Sequence, residues 1–293
     1  MSDRPDLKWG VERRLEFIEF RLFWEGGVNR SDIIEKFDVS VPQASKDLSL
    51  YQERAPGNID YDKSAKRYVA SANFTPKFLD PDPDSYLSRL RSLGEGLVAS
   101  SESWIGSLPP LDVAPTPRRA VESPVLQAVL KAVRTGQSLE VLYQSMNAER
   151  ADPIWRRMTP HAFGYDGFRW HARGFCHFDR KFKDFLLPRI LGCREFAAPG
   201  LDGAEDKFWN EIVNVKIGPH PGLTKSQKAV VSKDYSMDNG MIDVRVRHAM
   251  LFYFLKRLNL LGDAASESSR TQHIVVINYS EVHAALQLAG LTA

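Results

Sequence analysis

The chain predicts an α+β architecture in three parts: a small helical domain closed by a two-stranded wing, a central small, strongly curved β-barrel, and a C-terminal α+β module. Three observations carry this. Apolar residues at helical spacing from Leu15 to Tyr51 give way to two short strand-like runs around Lys63-Ser64-Ala65-Lys66. One amphipathic run opening at Pro124 is followed by several short alternating strands, the pattern of a strongly curved sheet. Beyond Ile212, strand and helix patterns alternate.

Residues 1–75 form the first part. Leu15, Phe17, Ile18, Phe20, Leu22 and Phe23 give a helix with a broad apolar stripe, stopped by Gly26-Gly27. A short helix follows over Asp32–Phe37, with Ser31 as its N-cap candidate. After the turn at Asp38-Val39-Ser40, a third helix runs from Val41 to Tyr51, with Ser40 as its cap and Pro42 in the first turn, where proline is tolerated. Helix, short helix, tight turn and helix make a helix-turn-helix, and Asn58–Asp62 with Arg67–Ala70 make its wing.

The third helix opens with small and polar groups, the kind that reach base edges from a major-groove helix. Arg30, Ser40, Gln43, Ser45 and Lys46 are therefore the candidate DNA contacts there, and Lys63, Lys66 and Arg67 on the wing are placed for phosphates. Against this, residues 1–75 hold 12 Lys/Arg and 13 Asp/Glu, so DNA binding rests on local clustering and on a dimer presenting two domains.

Residues 76–123 read as a linker, with helical spacing over Tyr86–Leu93 and then Pro109, Pro110, Pro115 and Pro117 imposing an extended stretch. Residues 124–200 form the central domain: a helix ended by Gly136, then strands at Leu139–Ser145, Met158–Gly164, Arg169–Phe175 and Lys183–Ile190. Residues 205–293 form the last part, with strands at Ile212–Ile217, Asp243–Arg247 and His273–Asn278 and helices at Ser226–Tyr235 and Ala249–Leu261. The apolar residues around Ala249–Leu261 make that helix the candidate dimer contact.

The central hairpin carries the chemistry. Two apolar-rich strands flank the turn at Asp166-Gly167. On the second strand Phe168, Trp170 and Ala172 alternate with Arg169, His171 and Arg173, so one face packs and the other offers a row of donors. Residues 118–195 hold 14 Lys/Arg against 8 Asp/Glu, which places the basic excess of the chain here. Tyr143, Ser145, His161, His171, Arg173 and Arg189 are the candidate ligand residues. If their faces converge, two imidazoles, two guanidiniums, a hydroxyl and an aromatic wall suit a nucleotide or short nucleic acid, because guanidinium binds phosphate in two-pronged fashion and aromatics stack on bases.

The remaining composition narrows the field. The net charge of +2 says little about partners, and two cysteines, Cys176 and Cys193, make no disulfide framework and point to reducing cytosol. No long uncharged apolar run and no leader-like start are present, so a cytoplasmic protein without membrane contact is expected. His161, His171 and His177 with Asp166 or Asp179 lack metal-site helix spacing, and no nucleophile elbow, P-loop or dinucleotide fingerprint occurs. No catalytic residue, metal or cofactor is expected.

The residue pattern resembles the WYL-domain transcriptional regulators. Tyr143-Gln144-Ser145 ends a first strand, Arg157 and Pro160 follow, the Trp170 strand leads to a loop with Phe182, and Phe185-Leu186-Leu187-Pro188-Arg189-Ile190 closes the set. The naming triplet departs, keeping Trp170 but with His171 and Ala172 in place of tyrosine and leucine. Thr159-Pro160-His161-Ala162-Phe163 and Trp170-His171-Ala172-Arg173-Gly174-Phe175 are most like the CapW/BrxR-type regulators of bacterial anti-phage defence. The resemblance implies a repressor of a phage-defence operon, bound as a homodimer to an inverted-repeat operator and switched by a ligand at the WYL domain. The alternative is an accessory protein that binds nucleic acid without sequence preference and recruits or tunes a partner enzyme.

Overall fold

A computed structural model of the chain describes residues 7–146, 151–263 and 267–290 and divides into two compact units, Met1–Thr116 and Pro117–Ala293. Among the described residues, no helix is long and apolar enough to cross a membrane.

In the first unit, helix α1 (Trp9–Glu25) ends at Gly26, whose φ of +72° sits in the left-handed region that glycine enters at no steric cost. Helix α2 (Arg30–Phe37) begins two residues earlier than the sequence suggests. Its cap is Asn29, not Ser31, because Asp32 answers Asn29 in a reciprocal capping box. Helix α3 (Val41–Arg54) is capped by Ser40, which accepts from the Gln43 N–H at 3.3 Å. Strands β1 (Ile59–Asp62) and β2 (Arg67–Ala70) pair antiparallel with Tyr61 opposite Tyr68, and Asp62 orders their turn by accepting from the N–H groups of Ser64 and Ala65.

Leu15, Phe17 and Ile18 of α1, Ile33 of α2 and Leu48 and Tyr51 of α3 build the core of this unit. A buried carboxylate ties the following segment to it. Glu19 accepts from the Tyr51 hydroxyl at 2.9 Å and from the backbone N–H groups of Lys77, Phe78 and Leu79 at 2.9, 2.7 and 2.8 Å. Helix α4 (Pro83–Gly94) follows, capped by Asp82. Trp104 and Ile105 are buried in the same core, with the Trp104 ring edge-on to Phe17 and Phe20 at 5.8 and 5.7 Å. The expected linker as far as Ile105 thus contributes to the N-terminal core, because its apolar residues pack against α1.

In the second unit, helix α5 (Ser123–Thr135) ends at Gly136 and leads into strands β3 (Ser138–Tyr143), β4 (Ile154–Tyr165), β5 (Trp170–Cys176), β6 (Lys181–Leu186) and β7 (Ile190–Ala197). The expected strand over 183–190 is broken at Leu187-Pro188-Arg189 by one 3-10 turn, where Pro188 has no N–H to give a ladder. The strand beyond, β7, was not expected and pairs with β3. The antiparallel order is β6-β5-β4-β3-β7. Among the described residues β6 and β7 do not pair, so the expected small barrel is an open five-stranded sheet. Val125, Val129 and Ala132 of α5 pack on Leu139, Val141, Met158, Ala172 and Phe185 on one face of it.

The other face meets the C-terminal segment. After the short helix α6 (Lys207–Asn210) come β8 (Ile212–Pro219), α7 (Lys225–Asp234), β9 (Ile242–Arg247), α8 (Leu251–Arg257), β10 (Ile274–Val276) and α9 (Tyr279–Leu288). The strands form an antiparallel sheet in the order β10-β8-β9. Helix α8 is shorter than expected and faces inward: Leu251 and Leu255 are buried with Val215, Ile217, Ile274 and Leu286. Much of its apolar surface therefore serves its own module, and Val230, Tyr235, Ile277 and Leu288 are large apolar residues that this module leaves exposed.

Candidate nucleic-acid interface and ligand site

On the first unit, Lys46 and Lys63 stand exposed on α3 and at the wing turn. The other candidates are partly held by their own domain. Ser40 is occupied as the cap. Ser45 donates to the Val41 carbonyl at 3.0 Å and accepts from Arg30 at 3.3 Å, so Arg30 lies along α3. Gln43 donates from Nε2 to Asp47 at 2.9 Å. Arg67 turns back toward α1, giving Nη2 to the Glu25 carbonyl at 3.3 Å. Lys66, with a left-handed φ of +52°, and Arg30 line one cleft of about 440 Å³ together with Asn29, Ser31, Tyr61 and Tyr68.

On the second unit, the six ligand candidates do not share one pocket. His161, His171 and Arg173 lie on the face of the sheet that meets the C-terminal segment. A bulge between Pro160 and Ala162 turns His161 toward Arg173. Their donors converge, but on carboxylates of this same chain. Arg173 gives Nε and Nη2 to the two oxygens of Asp206 at 2.7 and 3.0 Å, and Nη1 to Asp184 at 3.2 Å. His161 Nε2 meets Asp206 at 3.0 Å, and His171 Nε2 meets Asp166 at 3.1 Å. Tyr253 of α8 lies 4.8 Å from the His171 ring and donates to Asp184 at 3.2 Å, which ties the two modules together.

Burial pushes the Asp166 carboxyl up, but hydrogen bonds from His171, Arg169 and two turn N–H groups outweigh it and hold the group at about 2. Asp206 is likewise held at about 2, with His161 and Arg173 overcoming its burial. Both stay ionised, and the Arg173 charge is already met within the chain.

Tyr143 points to the opposite face, into the α5 side of the sheet, where its hydroxyl accepts from the Leu186 N–H at 3.2 Å. Half-buried Ser145 lies just beyond the same strand, and the Arg189 carbonyl accepts from the Gln144 N–H at 3.0 Å, which sets Arg189 beside that strand end. A residue the sequence reading passed over completes this group. Arg156 pairs with Val141 in the ladder, so its side chain enters the interior beside Tyr143, with the guanidinium 5.3 Å from that ring. It is 4% exposed, and its Nε and Nη2 have no hydrogen-bond partner among the described residues. Its neighbour Arg157, which the sequence pattern singled out, is instead paired with Glu140 and Glu195. The signal was available: Ile154, Arg156 and Met158 alternate to one face, so an arginine stands at an inward position.

Three domain families match the chain in this order: the BrxR transcriptional regulator winged helix-turn-helix domain over residues 10–92, the WYL domain over 124–195 and the BrxR C-terminal dimerization domain over 212–282. That arrangement defines a WYL-domain transcriptional regulator. The chain is 43% identical to the DNA-binding transcriptional repressor CapW of Stenotrophomonas maltophilia, across 96% of its own length and 94% of that protein. Identity is 36% to CapW of Pseudomonas aeruginosa and 35% to CapW of Escherichia coli, each over 97% of this chain and 94% of the relative. The chain belongs to the CapW family of transcriptional repressors.

Proposed function

We propose that this chain is a cytoplasmic repressor of a phage-defence operon that holds an inverted-repeat operator as a homodimer and releases it when an anionic ligand, a nucleotide or short nucleic acid, enters the WYL domain. One winged helix covers one half-site, and two-fold symmetry in the protein is mirrored in the operator. The DNA-binding half of this reading is carried by α3, whose polar first turns present Gln43 and Lys46 while Leu48 and Tyr51 hold its other side in the core. Lys63 and Lys66 stand ready for backbone phosphates on the wing. Val230, Tyr235, Ile277 and Leu288 are the apolar groups available to a dimer surface in the C-terminal module.

The ligand half is carried by Arg156. A buried guanidinium costs several kcal/mol unless its donors are met, and a phosphate supplies the missing acceptors. Tyr143, Ser145 and Arg189 stand around the same strand end. Arg173, His161 and His171 act on the other face, where they join the WYL sheet to the dimerization module and can pass a change in one to the other. A ligand shifts operator occupancy only if it favours one of the two arrangements.

Footprinting on the chain's own upstream DNA, with and without short oligonucleotides, tests both halves. Protection of a palindromic site that fades with added oligonucleotide is expected. Protection without sequence preference would sink the repressor reading in favour of an accessory nucleic-acid binder.

A further inference from the structure

Three residues of the first unit form a relay that ends at the DNA-facing side of α3. Arg14 of α1 donates from Nε and Nη2 to Asp47 at 2.6 and 3.2 Å. Asp47, 1% exposed, accepts in turn from Gln43 Nε2 at 2.9 Å. An ionised carboxylate only accepts, so Asp47 decides which end of the Gln43 amide turns inward: the NH₂ end. One of its two hydrogens is taken. Among the described residues no group donates to Oε1 and the other N–H has no acceptor; with the hydrogen trans to Oε1 on Asp47, the other N–H and Oε1 lie side by side on one edge of the amide. Gln43 is half-buried in the first turn of α3, where a groove helix meets base edges.

The edge left to DNA therefore sets one acceptor beside one donor. In the major groove adenine is the complement, with its N6 amino donor beside its N7 acceptor. Guanine offers two acceptors there, N7 and O6, and would leave Oε1 facing an acceptor. An amide free to rotate about its last bond has no such preference built in.

We propose that Asp47, held by Arg14, is a positioning residue that fixes the orientation of the Gln43 amide, so that one position in each operator half-site is read as adenine. The inference rests on the reading of α3 as the groove helix. A relay that served only to tie α3 to α1 would alter stability and leave base preference alone.

The test uses the full chain and DNA selected from a randomised library, with affinities then measured for single-base variants. Gln43→Ala locates the position that Gln43 reads. At that position the unmodified chain should prefer adenine to guanine by roughly five- to hundredfold. Substituting 7-deazaadenine, which lacks the N7 acceptor, or purine, which lacks the N6 amino group, should each weaken binding there. Asp47→Ala should level adenine against guanine at that position and leave the preferences elsewhere unchanged. If Asp47→Ala fails to fold, Asp47→Asn, which can present an NH₂ group as well as an oxygen to Gln43 and so no longer dictates which end of the amide turns inward, takes its place with the same expected and opposing outcomes. Preference for guanine, indifference to both analogues, or a folded Asp47→Ala chain with its adenine preference intact would overturn the proposal. If Gln43→Ala changes no position, the groove-helix reading itself falls and takes this inference with it.

Discussion

Asp206 grips the Arg173 guanidinium with both carboxylate oxygens, Oδ2 to Nε at 2.7 Å and Oδ1 to Nη2 at 3.0 Å, in a site where the two side chains are 1% and 8% exposed. Arg173 belongs to a strand of the WYL sheet and Asp206 to the segment that leads into the dimerization module. The pair joins two modules rather than lining an open pocket.

Arg173→Ala should therefore act first on stability. It leaves Asp206 buried with only His161 and the Trp209 N–H among its described partners and Asp184 without its guanidinium, and breaking a buried pair from one side costs about 3–5 kcal/mol. Urea denaturation monitored by tryptophan fluorescence measures it. A loss below about 1 kcal/mol would show that water reaches the pair and that its burial is not maintained in solution.

Arg156→Met should have the opposite profile. No carboxylate among the described residues depends on Arg156, so the melting temperature should hold or rise, because methionine keeps much of the volume without the buried charge. Binding of a fluorescein-labelled short single-stranded oligonucleotide, followed by anisotropy, should fall at least tenfold. Unchanged oligonucleotide affinity in this variant would remove Arg156 from the ligand site.

Exposed Lys63 should behave as a phosphate contact and Arg67 should not. Lys63→Ala should weaken every DNA sequence alike and reduce the slope of log affinity against log salt by roughly one unit. Lys46→Ala should weaken operator binding as well. Arg67→Ala should lower the thermal stability of the first unit, since Arg67 anchors the wing to the Glu25 carbonyl, and leave the salt slope almost unaltered. Equal salt slopes for all three variants and the unmodified chain would refute the phosphate role of the wing.

Acid should loosen the second unit through Asp166 and Asp206. Both carboxyls are held at about 2 in the folded chain, against about 3.9 for an unfolded aspartate. The folded state binds fewer protons between those values, so the contribution is complete above about pH 5 and is lost as pH falls through about 2. Urea midpoints measured from pH 7 down to pH 2.5 should fall most steeply at the acid end. Asp206→Asn should flatten that limb; an unchanged limb would place the acid sensitivity elsewhere.

Glu19 carries the last expectation. Glu19→Ala removes the acceptor that the Tyr51 hydroxyl and the N–H groups of Lys77, Phe78 and Leu79 share, and each donor left unpaired away from water costs about 1–3 kcal/mol. The variant should be destabilised and should open the segment around Lys77 to limited proteolysis. Retained resistance there would mean that the apolar contacts of Phe78 and Leu79 suffice to hold it.

Much of this was legible along the chain. The Gly26 stop, the Ser40 cap and the Pro42 first turn are local signals, each set by the conformation one residue permits, and each stands where the sequence places it. The Asn29 cap was missed because Asp32 decides it from three residues away. β7 was missed because its outer half is exposed and carries no clean alternation; it is a strand because β3 offers it an open edge. Trp104 read as linker, since nothing in its neighbourhood announces a core that lies some eighty residues back.

The candidate site divides the same way. Strand alternation alone put His171 and Arg173 on one face and Ala172 on the other, a consequence of the two-residue period of the pleat. Sequence could also count the bases of the central domain and expect them near one another. It could not say what they would face, because an ionic partner is chosen by distance in space. Only the tertiary structure brought Asp206 to Arg173 and His161, and left Arg156 inside the sheet without a carboxylate among the described residues. Periodicity is a property of the local backbone and is written along the chain; the pairing of buried charges is settled when distant segments pack, and that decides which arginine keeps unmet donors among the described residues.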